Sequence, residues 1–131
     1  MRSYARETAF CKVYAQLVSG IPSEEDFAQF DESKLTDDDK AFANRLVEGV
    51  SENREMIDQI VADYSKAFKL SRIYRIDLAA LEIAIYEMRF TDIPHPVAIN
   101  EAVGIVKKYS TEKSVGFVNG ILAAYERGCN K

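Results

Sequence analysis

Histidine and cysteine are scarce in this chain of 131 residues, and their scarcity narrows the chemistry. The single histidine, His95, lies between Pro94 and Pro96, so it has no helical carboxylate at a fixed spacing and no second histidine to share a metal. The same prolines exclude a phosphorelay histidine on an exposed helix. The two cysteines, Cys11 and Cys129, stand near opposite ends, which suggests neither a disulfide framework nor a zinc site. No glycine-rich phosphate loop and no Ser-His-Asp constellation occurs. The expectation is a protein that is not an enzyme and needs no metal or cofactor.

No run of about eighteen apolar residues is present, and the N-terminus lacks the apolar core of a secretory signal. A cytoplasmic protein is expected. With only three prolines and six glycines, and no convincing alternation of polar and apolar residues, the segments are long and helical. The 47% of hydrophobic residues suffices for one core, so residues 1–131 read as a single all-α domain.

Helix boundaries follow from caps and periodicity. Ser3 is a candidate cap for a first helix with Ala5, Ala9, Phe10, Val13, Tyr14 and Leu17 on one side, ending before Gly20. A short second helix is expected from Ser23 to Phe30. Thr36 and the acids at 37–39 start a long helix of roughly eight turns, with Gly49 as a point of bending. The segment Tyr74 to Arg89 is apolar nearly all round and belongs at the centre. Pro96 opens a helix to Lys108, and a last one runs from Glu112 to Arg127, stopping at Gly128. Within that last helix, Asn119-Gly120 is a turn dipeptide on a helical pattern. It is expected to mark a close helix crossing, with Asn119 buried and paired with Asn100.

The net charge of −4 is unevenly spread. Residues 1–20 balance at +2, residues 21–63 hold four bases against thirteen acids, and residues 64–131 hold ten bases against seven acids. A basic face built from the two ends is therefore compatible with an acidic molecule.

The stretches "ARETAFCKVY", "RLVEGVSENREMID", "AALEIAIYEM", "IPHPVAINEAV" and "GFVNGIL" resemble the NusB family of bacterial transcription antitermination factors. The resemblance covers nearly the whole chain, and "VAINEAV" followed by "FVNGIL" is its most specific part. It implies a compact bundle of about seven helices in two packed subdomains. It implies binding rather than catalysis: boxA RNA is held jointly with the ribosomal protein NusE, within an RNA polymerase antitermination complex that reads through terminators in ribosomal RNA operons. Carried over residue by residue, RNA contacts fall on Arg2, Arg6, Tyr14, Lys113 and Phe117, and partner contacts on Asp77 and Glu82. Glu82 stands where relatives often have arginine. A rival reading is a protein-protein adaptor on the same scaffold that has lost most RNA binding. Monomer and homodimer both remain open.

Overall fold

Where the longest helix begins is decided by Thr36, whose Oγ1 accepts the backbone N–H of Asp39 at 3.1 Å. Asp37, Asp38 and Asp39 occupy the first turn, at the positive end of the helix dipole. A computed structural model describes residues 2–19, 33, 35–65 and 70–129. The described residues form α1 (Arg2–Ser19), α2 (Asp37–Ser65), a 3₁₀ turn (Leu70–Arg72), α3 (Arg75–Phe90), α4 (His95–Tyr109) and α5 (Glu112–Cys129). No strand occurs among them. The helix expected at Ser23 to Phe30 lies outside the described residues.

Eleven of the sixteen residues of α3 are buried, which makes it the axis of the bundle. The other four helices all pack on it. Leu78, Leu81 and Ile85 are among its sealed side chains, each contributing about 1.5–3 kcal/mol of transfer free energy. Pro94 precedes α4 and Pro96 sits in its first turn, where a missing N–H costs nothing. His95 Nε2 lies 3.1 Å from the Met88 carbonyl, a structural contact that ties α4 to the end of α3.

Two details of helix termini differ from expectation. Ser3 lies inside α1 rather than capping it, and its hydroxyl donates to Glu101 of α4 at 2.7 Å. The last helix continues through Gly128 to Cys129.

The close approach expected at Asn119-Gly120 is found elsewhere. Asn100, Asn119 and Gly120 are exposed, and a Cβ on Gly120 would meet nothing within 4 Å. Gly49 instead provides the crossing: the Tyr86 ring of α3 lies directly over its Cα, where a Cβ would collide with it. The missing Cβ lets α2 and α3 approach, a gain that offsets the helix penalty of about 1 kcal/mol for glycine.

Charged groups also stitch the core. Arg6, 5% exposed, donates from Nε to both oxygens of Glu87 at 3.0 and 3.1 Å, and its Nη2 lies 3.0 Å from Glu87 Oε2. Its Nη1 lies 3.5 Å from Glu101, and the guanidinium covers the Phe42 ring at 5.1 Å. One side chain of α1 thus binds α2, α3 and α4. Burial raises the Glu87 pKa while Arg6 pulls it back down; because arginine does not deprotonate, the fork keeps its charge.

A second cluster surrounds Glu82, which is fully buried. Arg54 Nε donates to Glu82 Oε2 at 3.2 Å, and Arg54 Nη2 donates to Gln16 Oε1 at 3.1 Å. Glu82 Oε1 and Asp58 Oδ1 are buried with no other donor. A single proton shared between these two carboxyl groups satisfies both, leaving one negative charge against Arg54. Burial first, and then Asp58, push the Glu82 pKa from its ordinary 4.5 to about 9, against the pull of Arg54.

Three outcomes follow for stability. In thermal melts, Gly120→Ala is expected to stabilise the protein by about 1 kcal/mol, whereas Gly49→Ala should cost about 1–3 kcal/mol by displacing Tyr86. Denaturant titration should show Arg6→Ala losing about 3–5 kcal/mol, since it strands Glu87 in the core, with Arg6→Lys falling between it and the parent. For Glu82, the folded pKa lies above the unfolded one, so its neutral form stabilises fully below about pH 4.5 and progressively less as pH rises toward about 9. Urea midpoints should fall across that window with a slope of up to about 1.4 kcal/mol per pH unit, and Glu82→Gln should flatten it.

Candidate nucleic-acid interface

Aromatic side chains on three helices converge at the end of α4. Phe10 packs its ring 6.4 Å from Tyr14, one turn further along α1, and 5.3 Å from Tyr109, the last residue of α4. Lys108 lies over Tyr109 at 5.4 Å and pairs with Glu7 of α1 at 2.7 Å. Burial, with Glu7 nearby, raises the Tyr109 pKa well above its ordinary range, so its hydroxyl stays protonated.

Tyr14 and Tyr109 border a shallow groove whose other walls are Tyr74, Arg75, Ser110 and Thr111. Beside it opens a cavity of about 280 Å³, lined by Arg72, Tyr74, Asp77, Lys113, Ser114 and Phe117. Tyr74, at 64% exposure the most open of the large apolar side chains, belongs to both. It precedes α3 with extended backbone, φ −55° and ψ 138°, which projects it at the helix entrance.

The connection between α4 and α5 is held from below. Ser110 Oγ donates to Asp77 Oδ1 at 2.9 Å and sits 2.9 Å from Ser114 Oγ. Thr111 Oγ1 accepts the Ser114 backbone N–H at 3.1 Å and so caps α5. Lys113, in the first turn of α5, is therefore presented outward on a fixed helix start, with Phe117 half-buried one turn later.

Of the five side chains expected on RNA, the fold brings together Tyr14, Lys113 and Phe117. It does not bring Arg2 and Arg6 to them. Arg6 turns inward to Glu87. Arg2 leans on the start of α2, donating to the Asp38 carbonyl at 3.3 Å, lying 3.7 Å from Asp39 and covering Phe42 at 4.4 Å. The partner-facing role expected for Glu82 and Asp77 meets the same obstacle: both carboxyl groups are sealed, Glu82 at 0% and Asp77 at 2% exposure, so neither lies on an outer surface. The charge reversal at Glu82 is answered inside the chain by Arg54.

Arg72, Tyr74, Arg75 and Tyr109 were not anticipated. A signal existed in "SRIYRID", where two arginines flank an aromatic just ahead of the central helix. That stretch reads equally as the polar approach to an apolar helix, and only the fold shows that it faces Lys113.

The NusB family model matches residues 3–127. The transcription antitermination protein NusB of Thermoanaerobacter sp. (strain X514) is 40% identical over 126 residues, which span 96% of this chain and 90% of that protein. The protein of the same name from Trichlorobacter lovleyi is 43% identical over 128 residues, again 96% and 90% of the two chains. Among solved structures, T. maritima NusB aligns with a TM-score of 0.83 at 34% identity, covering 95% of this chain and 89% of that one. A chain from the complex of antitermination factors NusB and NusE with double-stranded RNA aligns with a TM-score of 0.82 at 30% identity, covering 97% and 96%. With the match running through all five described helices, this chain belongs to the NusB family.

Proposed function

We propose that this protein is a transcription antitermination factor that joins NusE to hold boxA-like single-stranded RNA, helping RNA polymerase read through terminators in ribosomal RNA operons. The observation that carries the reading is the meeting of groove and cavity at Tyr74, with Lys113, Arg72 and Arg75 around them. Cations replace the counterions of phosphates, and aromatic faces stack unpaired bases. Binding, not catalysis, is the activity. The protein acts in the cytoplasm as one RNA-binding unit over residues 1–131, and the family's arrangement of about seven helices in two packed halves belongs to this reading. No described helix is long and apolar enough to cross a membrane.

Direct RNA contacts are assigned to Tyr14, Lys113 and Phe117, joined by Arg72, Tyr74 and Arg75. Arg6 is a positioning residue: its ties to α3 and α4 fix α1 and thereby Tyr14. Asp77 likewise fixes the start of α5. Arg2, half-exposed, lies outside this cluster. So few cations give weak binding at physiological salt, so NusE must add its own.

Affinity for a boxA-like single strand, measured with and without NusE, is expected to rise at least about tenfold in the complex. Lys113→Ala should weaken binding similarly for all sequences and lower the slope of log affinity against log salt by about 1. Phe117→Ala should weaken it by roughly 1–3 kcal/mol. Equal affinity with and without NusE, or binding indifferent to salt, would overturn the reading; NusE binding without RNA binding would favour the adaptor.

A further inference from the structure

The cavity beside Tyr74 combines features that a phosphate site does not need. Cations stand with it, Arg72 and Lys113, yet Asp77 also lines it. That side chain is 2% exposed, so its carboxylate is reached only through the cavity. A phosphate drawn inside would meet this carboxylate and be repelled. The ligand that enters must be neutral, flat enough to lie against Phe117 and Tyr74, and able to donate hydrogen bonds at its inner edge.

A carboxylate offers about four acceptor positions, of which Ser110 occupies one at Oδ1. Among the four RNA bases, the pairing edges differ in what they would show it. Adenine and cytosine each place an amino donor beside a ring-nitrogen acceptor, and uracil places one N–H between two carbonyl acceptors. In each case a lone pair would face the carboxylate. Guanine alone presents two adjacent donors, N1–H and the N2 amino group. At about 280 Å³ the cavity is at the small end of ligand sites and accommodates one base, not two.

We infer that this cavity takes a single unstacked guanine of the bound RNA, with Asp77 accepting from N1–H and N2–H, Phe117 and Tyr74 stacking on the ring, and Lys113 and Arg72 holding the flanking phosphates. Asp77 is then a specificity-determining residue as well as the clasp for α5. This inference rests on the RNA-binding reading above and adds base selection to it.

The test uses the full chain with NusE and a guanine-containing boxA-like single strand in which one guanine at a time is replaced by inosine, which lacks the N2 amino group, or by adenine. At one position, inosine should weaken binding roughly fivefold and adenine roughly tenfold or more, while other positions respond less. Asp77→Asn should bring the guanine-to-inosine ratio at that position close to one. Ser110→Ala serves as the control, because it loosens the clasp yet keeps the carboxylate; guanine preference should survive it. Should Asp77→Asn fail to fold by circular dichroism, the base replacements on the parent protein still decide. Salt-dependent binding with no guanine position standing out would refute base selection and leave the antitermination reading intact. Absence of binding to every strand, NusE included, would refute both.

Discussion

The contact between Arg6 and Glu87 sets the geometry on which the rest depends. A guanidinium fork sealed between helices is costly unless every donor finds an acceptor. Here two carboxylates from α3 and α4 and an aromatic face from α2 surround it. Such a fork tolerates little rotation or sliding of α1, because its bidentate geometry is directional. Hydrophobic contacts alone would hold α1 against the bundle without fixing its register. Two turns beyond Arg6 on the same helix, Tyr14 takes its place in the groove.

This also resolves how an acidic protein presents a surface suited to RNA. The acids at 37–39 lie at a helix N-terminus, where the dipole accommodates them, and Asp39 has Arg2 nearby. Glu82 and Glu87 are internal, one sharing a proton and the other paired with Arg6. The formal charge therefore overstates what an approaching polyanion encounters around Tyr74. Local charge at the α4 to α5 connection governs the encounter.

Features governed by short-range rules were readable in the sequence. Thr36 and its aspartates, Pro96, and the apolar circumference of α3 located three helices to within a residue or two, because caps and periodicity depend on neighbours in the chain. Features governed by tertiary pairing were not. Arg6 reads as a surface cation until Glu87, far away in sequence, is seen beside it. Glu82 reads as a disrupted contact until Arg54 and Asp58 appear. Asn119-Gly120 and Gly49 carry identical local information about backbone freedom, and only the position of Tyr86 tells which glycine is needed for packing. The groove residues around Tyr74 come from three separate segments, none distinctive alone.

The enclosure of Glu82 constrains how this lineage can vary. A residue with no solvent exposure, bonded to Arg54 on another helix and sharing a proton with Asp58, cannot be exchanged singly without leaving a charge stranded. Substitutions at 54, 58 and 82 should therefore accumulate as matched sets, so that homologues differ here by whole alternative solutions to the same buried electrostatic balance. Sequence comparisons that score each column independently would mistake such a coordinated swap for loss of a surface contact.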